Sequence, residues 1–275
     1  MGDLQGLHIV VTRPRAQAES WAESLRNLGA RVSLLPLMEI VPLQQPEAIG
    51  AIKNRILNFD CYQKAIFVSQ NAVEYGFAWI EDYWPQLPQG VSFFAVGEST
   101  SKLLQSYGAR VTDLARTQTG AMTSEALLQS PHLQNLAGEK IVIFRGQGGR
   151  THLGEVLLER GAKVDYCELY ERSLPADAAQ QCAQLFQSEG DNSCRDLSGV
   201  ILTLHSGEAF ANLISTLQQI GSAELLLQLQ RGLGLLVPSQ RVAEQAASAG
   251  FNRVYTADNA TDVSMLQRLT SIHSI

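Results

Sequence analysis

The sequence predicts an α/β protein built from two doubly wound, parallel-sheet domains. Three observations carry that prediction. Short apolar runs alternate with amphipathic helical patterns along the chain, as strands joined by crossover helices do. Residues 6–40 recur as residues 138–172 without a gap, at a constant offset (138 − 6 = 132). The 275 residues also exceed the usual size of a single core, which makes two domains the default.

The second copy of the repeat shows its grammar best. Residues 141–144 form a short apolar run that reads as a buried strand, and the glycine-rich turn RGQGGR follows at 145–150. Leu153, Val156, Leu157 and Arg160 then share one helical face, Gly161 stops the helix, and Val164 opens the next strand. The first copy keeps the strand residues (Ile9/Ile141, Val10/Val142), the helix residues (Glu23/Glu155, Leu25/Leu157), the stop (Gly29/Gly161) and the strand-end arginine (Arg13/Arg145).

In chain order, 7–13 is a strand, Pro14 suits the first turn of a helix reaching about residue 28, and 32–37 is a second strand. Pro36, Pro42 and Pro46 exclude regular helix and central strand, which marks a crossing between domains. A helix from Glu47 precedes a strand at 65–68 and a helix at 71–79. A strand at 91–96, a helix at 99–107 stopped by Gly108, a weaker strand at 110–114 and a helix around 124–129 follow. After a second crossing near 171–175 come a helix at 176–187, a polar surface loop at 188–195, a strand at 199–204 and a helix opened by Ser206. A strand at 233–237, a helix at 241–249, a strand at 253–256 and a last helix from Thr261 close the chain. VSQNAV matches HSGEAF, aligning Ser69 with Ser206 and Ala72 with Ala209, and 96–108 matches 237–250 with one residue inserted. The copies are therefore permuted. One domain comprises 1–37 with 174–275, the other 42–170, and 38–41 and 171–173 connect them. Such a double connection suits domains that open and close over a cleft.

Composition narrows the function. Apolar content of 45% and modest charge describe an ordinary globular chain, with no apolar run near membrane-span length and no basic-then-apolar export pattern at the N-terminus. Cytoplasmic location is the expectation. Cys61, Cys167, Cys182 and Cys194 show neither CxxC pairing nor metal-ligand spacing, so they read as buried or idle thiols. A net charge of −6 argues against non-specific nucleic-acid binding, yet helix-start amides and a few arginines still hold small carboxylates.

Ligands of open parallel sheets bind outside the carboxyl ends of the strands. Those ends carry Ser, Thr, Gly and Arg here, among them Arg13, Ser69, Thr100, Arg145, Gly146, Arg150, Ser206 and Ser239. This set offers many weak contacts to a large polyanion rather than a strong base or metal site. RGQGGR lacks the spacing of a dinucleotide fingerprint, and no acid sits where a ribose needs one. Ser69 and Ser206 lack GxSxG and a His-Asp pair, so capping is their plainer role. The five histidines are scattered, with His205 alone at a strand end. Tyr170 reads as the last residue of its strand, facing the cleft, either as an amphipathic edge residue or as a phenolic donor beside a leaving group.

Five motifs, in order, resemble the uroporphyrinogen-III synthase family: IVVTRP at 9–14, FVSQNAVE at 67–74, FAVGESTSKLL at 94–104, IFRGQGGR at 143–150 and ELYER at 168–172. The chain departs from the family's usual pattern at Val68, often Thr, and at 202–205, where Phe-Thr-Ser is commoner. The resemblance implies two flavodoxin-like domains and a linear tetrapyrrole substrate, hydroxymethylbilane, with eight carboxylates. The implied reaction is loss of the terminal hydroxyl and ring closure with inversion of ring D, without cofactor or metal. It further implies a catalytic role for Tyr170, a threonine near the substrate at Thr100, and binding positions at Ser69, Ser206 and Ser239. Arg13, Arg145 and Arg150 are added on electrostatic grounds, and Gly146 as a tight-turn glycine with an anion-binding role. The expected partner is this small molecule, with a transient contact to the preceding bilane-forming enzyme, and the expected state is a monomer. A domain-closing anion-binding module and a nucleotide-dependent α/β enzyme are the alternatives.

Overall fold

A computed structural model describes residues 4–112, 123–186 and 197–273 of the chain. The strands are β1 (His8–Val11), β2 (Arg31–Leu34), β3 (Glu39–Pro42), β4 (Lys64–Phe67), β5 (Ser92–Ala95), β6 (Lys140–Gly146), β7 (Lys163–Ser173), β8 (Val200–Thr203), β9 (Gly234–Val237) and β10 (Arg253–Thr256). Among the helices, α1 (Arg15–Asn27), α2 (Pro46–Leu57), α3 (Gln70–Tyr83), α4 (Glu98–Ser106), the short α5 (Ser124–Leu127) and α6 (His152–Glu159) come first. They are followed by α7 (Ala178–Phe186), α8 (Gly207–Ile220), α9 (Ala223–Gly232), α10 (Gln240–Ser248) and α11 (Asp262–His273). The fold is α/β, with two separate sheets, and the chain divides into two compact units: Met1–Glu39 with Ser173–Ile275, and Ile40–Arg172.

In the first unit the strand order is β10-β9-β8-β1-β2, and its pairs run parallel. Taken from β1, this is the 2-1-3-4-5 winding, whose direction reverses between β1 and β8. Alternate side chains of β1 feed opposite layers: Val10 packs with α7, α8 and α10 residues such as Cys182, Leu213 and Val242, whereas Ile9 and Val11 pack with Trp21, Leu25 and Leu269 of α1 and α11. Both sheet faces are covered, which explains why the strands read as unbroken apolar runs. On α1, Ala18, Trp21, Ala22 and Leu25 form the buried stripe expected of a 3.6-residue period.

The second unit has the order β3-β7-β6-β4-β5, with the reversal between β6 and β4. Val142 and Phe144 of β6 enter one layer with α2 and α3, and Ile141 and Ile143 enter the other with Leu153 and Leu157 of α6. Phe67 and Phe144 sit opposite one another in the β4–β6 ladder and stack at 4.3 Å with their planes within 6° of parallel, in the core of this unit.

Several sequence expectations are corrected. The proline-marked stretch holds no central strand, in line with the sequence, but does contain β3, an edge strand, where the missing N–H of Pro42 costs no ladder bond. The helix expected from Glu47 begins at Pro46, a favoured first helical position. The strand expected at 110–114 reduces, in its described part, to one bridge from Val111 to Phe93, and residues 113 and 114 lie outside the described residues. The helix expected at 124–129 ends at Leu127, and that expected at 176–187 begins at Ala178, with residue 187 outside the described residues. The loop expected at 188–195 lies outside the described residues. Most consequential, Tyr170 does not end its strand: β7 continues to Ser173.

A candidate active site at the strand ends of the second unit

The carboxyl ends of β4 and β6 flank the point where the second sheet reverses its winding, the place where open α/β sheets receive ligands. Three features meet there. Ser69 follows β4 in extended conformation (φ −164°, ψ 166°) and caps α3, its Oγ accepting the Ala72 amide at 3.1 Å. The Tyr170 hydroxyl lies 2.9 Å from the same Oγ. Gly146 ends β6 directly against the tyrosine ring: a Cβ there would lie 2.5 Å from Tyr170 Cε2.

A bulge brings Tyr170 to this place. In the β6–β7 ladder Arg145 faces Glu168 but Gly146 faces Tyr170, leaving Leu169 as an extra residue. Strict alternation from Cys167 and Leu169 would turn Tyr170 to the opposite sheet face. Because of the extra residue, Cys167, Leu169 and Tyr170 all enter the same core layer, and Tyr170 is only 2% exposed. Tyr75 packs its ring 5.4 Å from that of Tyr170 and donates its hydroxyl to the Ile40 carbonyl at 3.1 Å. Burial, then Glu74 and Tyr170, raise the Tyr75 pKa above the usual phenol value.

The glycine-rich turn is held from within. Arg145 is 4% exposed, and its guanidinium donates to the carbonyls of Gly146 (3.1 Å) and Arg150 (3.2 Å). It also lies 4.8 Å from the Tyr166 ring and 3.7 Å from Glu168. Gly148 takes φ +68°, which a side chain would resist, so the turn closes at a glycine. The Arg150 side chain is exposed.

A profile of the family described as "Uroporphyrinogen-III synthase HemD" matches residues 19–267. The chain belongs to the uroporphyrinogen-III synthase family. It is 32% identical to the uroporphyrinogen-III synthase of Escherichia coli K12, over 96% of this chain and all of that one. It is equally similar, 32% identical with 96% and 100% coverage, to the uroporphyrinogen-III synthase of Salmonella typhimurium LT2. Solved structures share the fold at low identity. A mutant uroporphyrinogen III synthase from Thermus thermophilus superimposes with TM-score 0.57 at 14% identity, covering 98% of this chain and 99% of that one. A Helicobacter pylori 26695 uroporphyrinogen-III synthetase gives 0.57 at 16% identity, covering 97% and 99%.

The other residues singled out in this synthase-family sequence lie on four further helix starts or strand ends. Thr100 is buried (3% exposed) in the first turn of α4, beside Ser101, whose buried hydroxyl has no partner among the described residues. In the first unit, Ser206 caps α8 by accepting the Ala209 amide at 3.0 Å, whereas Ser239 precedes α10 without a side-chain cap. Arg13 is paired with Asp262 at 2.7 Å and donates to the Ala260 carbonyl at 3.4 Å. His205 has both ring nitrogens buried without a partner among the described residues and meets Trp21 edge-on at 6.1 Å. Burial and the nearby Arg13 push its pKa down to about 3, so the ring is neutral near pH 7. Burial likewise pushes the Cys167 and Cys182 thiols up to about 12. No group of three or more His, Cys, Asp or Glu poised to hold a metal occurs among the described residues, and none of their helices is long and apolar enough to cross a membrane.

Tyr75 was not singled out by sequence reasoning. Its signal is the spacing Tyr75, Trp79, Tyr83, one aromatic per helical turn on α3, which points to core packing without naming Tyr170 as the neighbour.

Proposed function

We propose that this protein is a cofactor-independent lyase of the uroporphyrinogen-III synthase type, closing linear hydroxymethylbilane with loss of water and inversion of ring D. The observation that carries this reading is the Tyr170 hydroxyl, bound to Ser69 at the β4–β6 winding reversal. The bilane closes unaided to the uninverted isomer, so the protein's task is to fold it and choose the bond that forms. Positioning and exclusion of water supply such selectivity without a strong acid or base.

Tyr170 is the catalytic residue in this reading, donating a hydrogen bond to the hydroxyl as it leaves. Acetate and propionate groups are taken up at helix starts by Thr100, Ser206 and Ser239 and their neighbouring amides, and by the exposed Arg150. Arg145 and Arg13 contribute differently from a free cation. Arg145 donates to the carbonyls of its own turn, and Arg13 is paired with Asp262 and donates to the Ala260 carbonyl, so each is engaged within its own unit. Freshly made hydroxymethylbilane, with isomers I and III separated after reaction, tests the proposal. Isomer III is expected; isomer I alone, at the uncatalysed rate, overturns it.

A further inference from the structure

Ser69 carries two hydrogen bonds through one oxygen, and their direction has a chemical consequence. A serine hydroxyl has one proton and two lone pairs. The Ala72 amide, 3.1 Å away, occupies one lone pair, and Tyr170 Oη lies 2.9 Å away on another side. Whichever way the second bond runs, one hydroxyl proton of the Ser69–Tyr170 pair is left over. If Tyr170 donates, Ser69 keeps the surplus proton; if Ser69 donates, Tyr170 keeps it.

The start of α3 favours the second arrangement. An oxygen that accepts from a helix N-terminal amide is polarised by the partial positive charge there and gives its own proton more readily. We propose that Ser69 is a positioning residue whose hydroxyl donates to Tyr170, so that a one-way chain runs from the Ala72 amide through Ser69 and Tyr170 to the departing hydroxyl. This rests on the reading of the substrate given above. As the terminal C–O bond breaks, its electron pair stays on oxygen, which takes the Tyr170 proton and leaves as water. The resulting phenolate keeps the Ser69 bond and faces the cationic carbon. The pyrrole that supplies electrons for the new C–C bond then loses a ring proton, which restores the phenol. A cap alone needs no such partner: Ser206 makes the same bond to Ala209 at 3.0 Å, but the residue at the place of Tyr170 in that copy is Met38.

The test compares Ser69→Ala, Ser69→Thr, Tyr170→Phe and the Ser69→Ala/Tyr170→Phe double variant, each first shown to be folded by circular dichroism. Loss of a bond to a charge-developing group predicts a fall in kcat of about 10- to 100-fold for Ser69→Ala with KM little changed. Ser69→Thr, which retains hydroxyl and cap, restores most of it. Adding Ser69→Ala to Tyr170→Phe costs little more, because the chain is already cut. Independently of turnover, ultraviolet titration of Tyr170, taken as the difference from Tyr170→Phe, moves to higher pH in Ser69→Ala. A rise in KM alone, fully multiplicative losses in the double variant, or an unmoved phenol titration overturns the proposal. If the unmodified protein yields only isomer I, the substrate reading fails, while the titration still decides whether Ser69 donates to Tyr170.

Discussion

The two β-α-β copies, 6–40 and 138–172, were built on one template and have diverged at their strand ends. Arg13 reaches outward to Asp262 and is partly exposed, whereas its counterpart Arg145 is buried and holds the carbonyls of its own turn. Pro14 stands where the second copy has Gly146, and only the glycine leaves room for an aromatic ring. Met38 stands where the second copy has Tyr170. The matching caps, Ser69 and Ser206, are nearly identical in geometry, at 3.1 and 3.0 Å, yet only Ser69 has the phenol beside it. The helices that follow are also tied alike: Tyr75 donates to the Ile40 carbonyl at 3.1 Å, and Asn212 at the matching position donates to Leu37 at 2.7 Å. Shared features therefore mark what the fold needs, and the features confined to the second unit are the ones on which the proposed role of Tyr170 rests.

Substitutions that erase or exchange these differences sharpen the comparison. The largest effect is expected at Tyr170→Phe, which should lower turnover by about 10²- to 10⁴-fold, the range of a lost general acid, with substrate affinity retained. Full activity there would return Tyr170 to a packing role in its own core layer. Gly146→Ala forces the ring off its seat and should reduce turnover by about 10²-fold, as a small misplacement of a reacting group does. Pro14→Ala, at the equivalent place in the other copy, should leave isomer ratio and rate unaltered. If both behave alike, the close approach at Gly146 is unimportant.

The pH dependence of stability separates the units in a different way. Unit 1 has His205 where unit 2 has Val68. With its folded pKa near 3 against an ordinary 6.5, the ring stays neutral in the fold while the unfolded chain takes up a proton. Its contribution is complete above about pH 6.5 and is lost towards pH 3, with a slope approaching ~1.4 kcal/mol per pH unit. Denaturant titrations of His205→Val should show a shallower acid limb by about one proton. An unchanged slope would mean that His205 is protonated in the fold. The smallest effect is expected at Ser206→Ala, which should cost about 1 kcal/mol of stability as a lost cap and raise KM, with kcat unchanged.

Local signals made much of this molecule legible. The α/β class follows from the alternation of strand and helix periods, and the stripe Ala18, Trp21, Ala22, Leu25 is buried as its spacing requires. Ser69 and Ser206 are recognisable as caps because a serine immediately before an amphipathic run has an amide within reach of its oxygen. The functional weight of Tyr170 came from family resemblance, not from its pattern, since alternation assigns it to the wrong sheet face. The bulge at Leu169 is a property of two paired strands, and neither strand alone encodes it. Val111 reads as part of a strand yet makes one bridge, while the four residues of β10 in the other unit pair fully with β9.

By itself, then, the amino-acid order determined the duplication, the layer that most strand and helix residues occupy, and the polar helix starts. Those depend on periodicity and on groups a few residues apart. Tertiary structure decided which hydroxyl meets which: Ser69 and Tyr170 are 101 residues apart. Their contact requires β4 beside β6, β6 beside β7, one unpaired leucine to turn the tyrosine, and a glycine with no Cβ in its way. Each of those conditions is a packing relation between separate segments, which is why no window of sequence displays the site.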